Sequence, residues 1–316
     1  EFKGITQVYR RDMKKDPNII MHALKDFNLY DRESAYLNML PLETLEKMSI
    51  HELHAIIKNL LTYKHTISYV GSRSFDEVRE LLEKHMESND ALSDPPRYQP
   101  RHMRTPENTE IYFFNKEMAQ AHIAIEFAGE EYNEEDMPTV LMFNYYFGGG
   151  MSGVVLQQLR ESRALAYDAW AFYDTGDRRS AQNVMRLEIA TQPDKTIEAL
   201  STALDLIDDG ALTPERFTEA QKSVVNRYRI AKIGFRDVIG AVIAWERLGL
   251  SPDPRRERFE KVKTMQIDEL QGFHQKEIAH HPKLISIVGD KNKIDMEALQ
   301  KIGRVVYIDL DDIFVN

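Results

Sequence analysis

The residues of this sequence that are best suited to bind a metal are its ten histidines, because the chain has no cysteine. Without cysteine, disulfides, cysteine-based metal sites and a thiol nucleophile are excluded. Zinc needs several imidazole or carboxylate ligands that converge on one point. The nearest candidates are His51 and His54, which would share one face of a predicted helix, but no third ligand is evident near them. We therefore interpret them as surface histidines and predict no metal ligand in this chain.

A second stretch, residues 144–173, combines a glycine loop, a short helix and an aromatic strand. Gly148, Gly149 and Gly150 interrupt the preceding helix and let the chain turn into the next one. Residues 151–160 carry apolar side chains at a helical period. Residues 166–173 alternate in the manner of a strand. The alternation predicts one face with Tyr167, Ala169, Ala171 and Tyr173, and an opposite face with Asp168, Trp170 and Phe172.

The secondary-structure elements that must position this stretch occur along the chain as groups of strands and groups of helices. Strands are predicted at residues 65–71, 110–114, 121–127, 166–173, 182–190, 284–289 and 305–308. Helices are predicted at residues 1–30 with a break at 16–18, and at 41–48, 75–86, 137–146, 151–160, 195–208, 238–250, 257–262, 267–278 and 295–302, with a further helix opened by Thr213 and Pro214. Ser49, with Glu52 three residues later, is predicted to cap another helix, whose apolar positions are Leu53, Ile56, Ile57 and Leu60. A strict alternation of strands and helices is absent, so the predicted fold class is α+β.

Several segments recur later in the chain, in the same order and at an offset of 217 to 219 residues. Similar helix and strand ends within one protein would be the alternative explanation, but a nearly constant offset favours a duplicated unit of about 215 residues. The matching pairs are residues 45–53 with 262–270, 67–71 with 285–289, Tyr9-Arg10 with Tyr228-Arg229, Ile20 with Ile239, and Leu29 with Leu248.

A polar, proline-bearing segment separates the two copies, and we place a linker at residues 93–104. Residues 105–316 are then predicted to be a complete C-terminal domain. Residues 1–92 are predicted to be the mostly helical C-terminal portion of a preceding homologous domain, whose beginning would lie upstream of Glu1. The length of 316 residues suits two domains.

The composition restricts the class of partner. A net charge of −10 disfavours nucleic acid, because phosphate contacts need a basic face, and it tolerates basic peptides. The 42% of hydrophobic residues are sufficient for a large core. No apolar run approaches the roughly 20 residues of a membrane span. We expect a soluble protein, and the sequence does not distinguish a periplasmic from a cytoplasmic location.

Residues 147–153, Phe-Gly-Gly-Gly-Met-Ser-Gly, and residues 159–167, Leu-Arg-Glu-Ser-Arg-Ala-Leu-Ala-Tyr, resemble a segment of the insulinase/pitrilysin family of zinc metallopeptidases. The resemblance is strongest over residues 141–173. It implies tandem homologous domains, each a two-layer α/β sandwich, in two halves that close around a chamber. Active members bind zinc through His-x-x-Glu-His and a downstream glutamate. None of the ten histidines fits that motif, so this chain resembles the non-catalytic C-terminal half.

The resemblance also assigns roles to two residues. In active members an arginine and a tyrosine seven residues apart reach from this half towards bound peptide and the zinc, and the matching positions are Arg160 and Tyr167. A guanidinium can hold a peptide carbonyl, and a phenol can donate to a developing oxyanion. A solvated Arg160 paired with Glu161 and a tyrosine of an edge strand are the alternative interpretations. Gly148, Gly149 and Gly150 are expected mainly to shape the loop.

Two functions compete on these grounds. The chain is predicted to be the C-terminal half of a zinc-dependent endopeptidase that degrades peptides. It would supply substrate contacts, while the N-terminal half of the same protein, or a partner subunit, would bind the zinc. The alternative is an inactive scaffold or partner subunit of the same family. A weaker hypothesis is that this segment binds peptides by itself. By itself the chain is expected neither to hold zinc nor to cleave peptide.

Overall fold

The computed structural model describes residues 2–86, 91–251 and 253–315. The predicted N-terminal portion includes residues 1 and 87–90, which lie outside the described residues. The strands are β1 (Glu110–Asn115), β2 (Ala121–Glu131), β3 (Asp168–Asp174), β4 (Gln182–Thr191), β5 (Leu284–Gly289) and β6 (Arg304–Tyr307). The α-helices are α1 (Phe2–Met13), α2 (Pro17–Tyr30), α3 (Leu42–Lys47), α4 (Ile50–Leu60), α5 (Phe75–His85), α6 (Met137–Phe143), α7 (Val154–Leu156), α8 (Thr196–Asp209), α9 (Pro214–Ile230), α10 (Val238–Arg247), α11 (Arg255–Thr264), α12 (Ile267–Glu277), α13 (Met296–Ile302) and α14 (Leu310–Ile313).

Within the described ranges the strands form one six-stranded mixed sheet in the order β3-β4-β2-β5-β1-β6. Strands β3, β4, β2 and β5 pair antiparallel, whereas β1 pairs parallel with β5 and β6. The predicted α+β class is confirmed. The order leaves β3 at one edge, with Asp168 opposite Ala190 and Tyr173 opposite Met185. The aromatic strand of the predicted site is therefore an edge strand.

One face of the sheet packs on a layer of helices and forms the main core, because alternate side chains of each strand point to that face. Sheet residues such as Phe113, Ile125 and Leu187 are buried there against helix residues. The helical contributions include Phe143 of α6, Leu200 of α8, Val224 of α9 and Leu270 of α12. This sheet and its helical layer form the two-layer α/β sandwich that the family resemblance implied.

The opposite face of the sheet is covered by α2. Ile20 and Leu24 of this helix are buried in a second apolar cluster with Ala124 of β2 and Val288 of β5. Helix α2 begins at Pro17 after the N-cap Asp16, which is the break predicted within residues 1–30. It belongs to the segment that precedes the predicted linker, so residues on both sides of that linker share one core.

The predicted caps of two helices and the predicted alternation of β3 are confirmed. Ser49 forms a capping box with Glu52 at the start of α4, and Thr213 caps α9 ahead of Pro214. Strand β3 buries Ala169, Ala171 and Tyr173 and exposes the residues between them, as the alternation predicted. In the part of the chain that the structure describes, no helix combines the length and apolar character needed to cross a membrane.

Two sequence predictions were wrong. Residues 65–71, predicted to be a strand, are exposed and irregular, and Tyr63 nearby makes only an isolated bridge with Ser93. A strand requires neighbours to pair with, and this segment has no sheet beside it among the described residues. Residues 151–160 do not form one helix either. They form a 3₁₀ turn at Gly150–Ser152, the short α7 and a π-helical turn at Gln157–Glu161.

Candidate functional site

The glycine loop runs directly against the edge strand β3. A Cβ atom on Gly148 would lie 1.7 Å from the carbonyl oxygen of Ala171, and one on Gly149 would lie 2.3 Å from the carbonyl oxygen of Tyr145. Gly150 has a φ of +62°, in the left-handed region that favours glycine. The first two glycines are therefore required by close backbone approach, and the third by conformation. The loop does more than turn the chain into the next helix.

Asn144, which the sequence did not single out, completes the contact with β3. It lies in a π-helical turn, Asn144–Gly148, that follows α6. Its amide nitrogen donates to the carbonyl oxygen of Tyr173 at 3.0 Å, and its amide oxygen accepts from the Tyr173 backbone N–H at 2.7 Å. These two bonds occupy backbone groups that an edge strand would otherwise leave free. This part of the β3 edge is consequently closed to an added strand.

The chain between Arg160 and Tyr167 folds into a closed turn. The carbonyl oxygen of Leu159 accepts from the backbone N–H of Leu165 at 2.8 Å and from that of Ala166 at 3.2 Å. Ala164 has a φ of +49°, and its carbonyl oxygen accepts a hydrogen bond from the Lys195 ammonium at 3.1 Å. Leu159 itself is fully buried and anchors the turn in the core. These hydrogen bonds join Leu159, which directly precedes Arg160, to Ala166, which directly precedes Tyr167. The backbone segments that carry the two site residues are therefore adjacent.

Arg160 lies on the π-helical turn with its side chain 51% exposed. Its Nε atom is 3.6 Å from Oε1 of Glu161. A solvated Arg160 paired with Glu161 was the alternative to a role in binding peptide. An ion pair between two exposed side chains contributes little free energy, about 0 to 1 kcal/mol. The guanidinium can therefore leave Glu161 for a ligand at small cost.

Tyr167 directly precedes β3, and its hydroxyl is accessible to solvent. Its backbone N–H donates to the carbonyl oxygen of Ala190 at 2.8 Å. Its hydroxyl accepts a hydrogen bond from the amide of Gln192 at 3.1 Å, and the side chain is 51% exposed. Because the hydroxyl oxygen acts as an acceptor there, its own proton remains available to another acceptor. Gln192 was not predicted, although the hairpin formed by β3 and β4 brings it opposite this position.

The histidines do not form a metal site. His51 and His54 are exposed on α4, while His274 is buried with Nε2 2.8 Å from the carbonyl oxygen of Ile207. Burial lowers the pKa values of His122 and His274, so both are held as neutral side chains within the fold. Across residues 2–86, 91–251 and 253–315 no group of three or more potential ligands could hold a metal ion. The donor set of the described chain does not fit zinc.

Comparison with known proteins gives a consistent set of similarities. A family model described as the peptidase M16 inactive domain matches residues 47–224. The chain is 22% identical over 210 residues to an uncharacterized zinc protease, YmxG, of Bacillus subtilis, which covers 66% of this chain and 50% of the relative. The chain thus spans about half the length of that relative.

Solved structures share the fold at low sequence identity. A peptidase M16 inactive domain from Pseudomonas fluorescens superimposes with a TM-score of 0.71 at 14% identity, covering 92% of this chain and 70% of the other. A chain of complex III2 from Candida albicans superimposes with a TM-score of 0.65 at 13% identity, covering 95% and 74%. At these low identities, both similarities show that the fold is shared and do not show a shared activity.

Proposed function

Because the chain belongs to the peptidase M16 inactive domain family, as its resemblance to insulinase and pitrilysin predicted, we propose that it is the C-terminal half of a zinc-dependent metalloendopeptidase. In this role it contributes contacts to the peptide and to the transition state but no zinc ligands. The similarity to a protein named as a zinc protease supports a metal in the full protein. The zinc-binding half is another part of the same polypeptide or a partner subunit.

The observation that carries this proposal is the closed turn with Arg160 and Tyr167 at its ends. Both side chains are half exposed, yet both are attached to backbone that is fixed by hydrogen bonds to Leu159 and Ala190. Catalytic and binding groups need this combination of a rigid support and a free functional end.

The two residues have different tasks in the proposed reaction. Arg160 donates hydrogen bonds from its guanidinium to a carbonyl oxygen of the extended peptide and so holds the ground state and the transition state alike. The hydroxyl of Tyr167 donates a hydrogen bond to the oxygen that becomes negative when water attacks the scissile carbonyl. A donor of this kind stabilises the transition state more than the substrate. The metal, when it is bound by the other half, supplies the activation of water.

Kinetics of the full protein with a fluorescence-quenched peptide test these assignments. Tyr167→Phe is expected to lower kcat about 100-fold with little change in KM, because the lost donor acts on the developing charge. Arg160→Ala is expected to raise KM at least about tenfold, because it removes a charged hydrogen bond made before the chemical step. Zinc content should stay unchanged in both variants.

Arg163→Ala is the matched control, since Arg163 lies in the same turn but donates to Thr202 at 3.3 Å within this chain. Its kinetic constants should equal those of the wild-type protein. Unchanged turnover and unchanged KM in both the Arg160 and the Tyr167 variants would exclude their role in peptide cleavage.

The alternative function is an inactive scaffold or partner subunit. The similarity in fold to a chain of complex III2 and the pairing of Arg160 with Glu161 favour it. It predicts that the full protein, supplied with zinc and with its partner subunits, cleaves none of a broad set of peptides. Measurable, metal-dependent cleavage would exclude the scaffold as the sole function.

A further inference from the structure

A cavity of about 170 Å³ lies between α2 and the part of the sheet formed by β2, β4 and β3. The residues that line it include Met21 of α2, His122 of β2, Glu188 of β4, and Asp168 and Trp170 of β3. Pockets that take drug-sized ligands have volumes of about 300 to 1,000 Å³. This cavity is smaller, so it has room for a single side chain or a group of that size.

The register of the three strands creates this cavity. Ala190 of β4 lies opposite Asp168 on one side and opposite His122 on the other. Two residues further along β3, Trp170 lies opposite Glu188. Residues two apart on a strand share one face, as do residues directly opposite each other on neighbouring strands. Because Ala190 has only a methyl group, it forms the floor, and its larger neighbours form the walls.

The indole of Trp170 is available to a ligand. It is 38% exposed, and it takes part in none of the ring or cation contacts found between described residues. The face of an aromatic ring carries partial negative charge, and of the aromatic side chains tryptophan attracts cations most strongly. The wall that Trp170 provides is therefore suited to a positively charged group.

The charged side chains around the cavity leave it negative. Glu188 forms an ion pair with Lys25, so its charge is balanced within the chain. Burial lowers the pKa of His122 and keeps that wall neutral. Asp168 is exposed, and its carboxylate has no ion pair or hydrogen bond with any other described residue. An unbalanced carboxylate therefore lies two residues from an aromatic ring without a partner.

These side chains suit an organic cation better than a metal ion. Asp168, Glu188 and His122 all line the cavity, yet no group of three potential ligands in the described part of the chain could hold a metal ion. An alkylammonium or guanidinium group has no need of three converging ligands. It can donate hydrogen bonds to a carboxylate while its charge lies over an aromatic ring.

We propose that this cavity binds an alkylammonium or guanidinium group, with the cation between the Asp168 carboxylate and the Trp170 ring and its alkyl stem over Ala190. The carbonyl oxygen of Ala190 accepts from the backbone N–H of Tyr167, so the cavity adjoins the candidate site. The cation is carried by a basic side chain of a peptide or by a free amine. The inference goes beyond the proposed function and does not depend on peptidase activity.

Two-dimensional ¹⁵N NMR of the 316-residue chain at neutral pH tests this site, because the sequence has only two tryptophans. A Trp245→Phe variant assigns the two indole N–H signals. Butylammonium chloride is the free cation, and acetylated, amidated Ala-Lys-Ala carries the same cation on a peptide. Both should shift the Trp170 signal until it saturates, whereas sodium chloride at equal ionic strength should not. The Trp245 signal should stay in place, since Arg255 already lies 5.7 Å from the centre of that ring.

Three comparisons assign the binding to the named groups. Asp168→Asn should weaken butylammonium binding about fivefold, because it removes the charge of an exposed ion pair. Ala190→Leu should abolish the shift, because leucine fills the floor of the cavity. The peptide with norleucine in place of lysine keeps the alkyl stem without the charge, and it should bind at least about fivefold more weakly than the lysine peptide.

Asp174→Asn is the matched control for Asp168→Asn. It removes a carboxylate from the same face of β3, but six residues away, at a distance of roughly 20 Å. Its affinity for butylammonium should equal that of the wild-type chain.

The source of the cation follows from which probes bind. A shift with butylammonium alone identifies a free amine, a shift with the lysine peptide alone identifies a peptide side chain, and a shift with both identifies a site open to either source. The proposal is overturned if neither probe shifts the Trp170 signal, if the Asp168→Asn and Asp174→Asn variants bind butylammonium equally, or if the norleucine peptide binds as tightly as the lysine peptide. No readout involves peptide cleavage, so a failure of the proposed function remains distinguishable.

Discussion

At the scale of single residues, the space around Gly148 is the tightest constraint on the glycine loop. A methyl group there would lie 1.7 Å from the Ala171 carbonyl oxygen, which belongs to the backbone of β3 and cannot turn aside as a flexible side chain could. Gly148→Ala is therefore expected to reduce the free energy of unfolding by at least about 2 kcal/mol, the upper part of the range for overpacked sites. Urea denaturation of the 316-residue chain measures it.

Gly272→Ala provides the control for that prediction. Gly272 lies inside α12, is exposed, and a Cβ atom there would have no neighbour within 4 Å. Alanine in an exposed helix interior is expected to stabilise by about 0.5 to 1 kcal/mol relative to glycine. Equal stabilities of the two variants would show that the loop can move away from β3.

Glu126 is a buried carboxyl group whose protonation links the stability of the fold to pH. Its carboxylate is fully buried on β2 in an ion pair with Arg186, while Lys25 of α2 pairs with the neighbouring Glu188. Burial raises the pKa of Glu126 from 4.5 to about 6, although Arg186 and Lys25 act in the opposite direction. Asp26 and Glu188 add to the rise.

The direction of the resulting pH dependence follows from linkage. Because the folded pKa of Glu126 is raised, the folded state binds the extra proton, and this contribution to stability is present below pH 4.5 and lost as pH rises through 6. Relative to Glu126→Gln, which cannot ionise, the wild-type free energy of unfolding should fall by about 2 kcal/mol across this window. Urea denaturation of both proteins at several pH values checks it. A constant difference between them would contradict the assigned pKa.

At the scale of secondary-structure elements, the edge of β3 depends on Asn144. Asn144→Ala would leave the backbone N–H and carbonyl of Tyr173 without partners, at a cost of about 1 to 3 kcal/mol. It would also open a strand edge to other molecules, so we expect increased light scattering on mild heating. Asn226→Ala, on an exposed position of α9, should change neither property. Unchanged scattering and stability in Asn144→Ala would show that the edge is protected by other means.

The sequence correctly predicted those elements in which buried side chains recur at a regular spacing along the chain. Strand β5 was placed at its observed bounds, and the alternation of β3 was correct, because the side-chain period of a strand is visible in the sequence itself. The segment 65–71 was predicted as a strand and is not one here, since pairing depends on neighbours rather than on its own residues.

The candidate site was only partly predictable for the same reason. Arg160 and Tyr167 were found through a motif, whereas Asn144 and Gln192 act through partners 29 and 25 residues away. A contact at that separation requires the strand register and the path of the glycine loop. Neither of these is encoded in the local pattern of apolar residues.

At the scale of the whole molecule, α2 lies before the predicted linker and packs on the sheet that lies after it. Ile20, Leu24 and Leu29 of α2 are almost completely buried against the sheet that follows the linker. Burial of three such side chains stabilises by about 5 to 9 kcal/mol. That is comparable with the whole stability of an ordinary domain, about 5 to 15 kcal/mol. The predicted complete domain at residues 105–316 therefore depends on a helix from outside its own boundaries.

A shortened chain that begins at residue 105 tests this dependence. It exposes apolar side chains of the sheet, including Ala124 and Val288, that α2 covers in the longer chain. We expect it to bind a hydrophobic dye and to self-associate in size-exclusion chromatography, whereas the 316-residue chain should not. Addition of a peptide of residues 14–40, which restores Leu24 and the cation of Lys25, should reverse both effects. A monomeric shortened chain that unfolds cooperatively at the midpoint of the longer one would show that α2 contributes little to the fold.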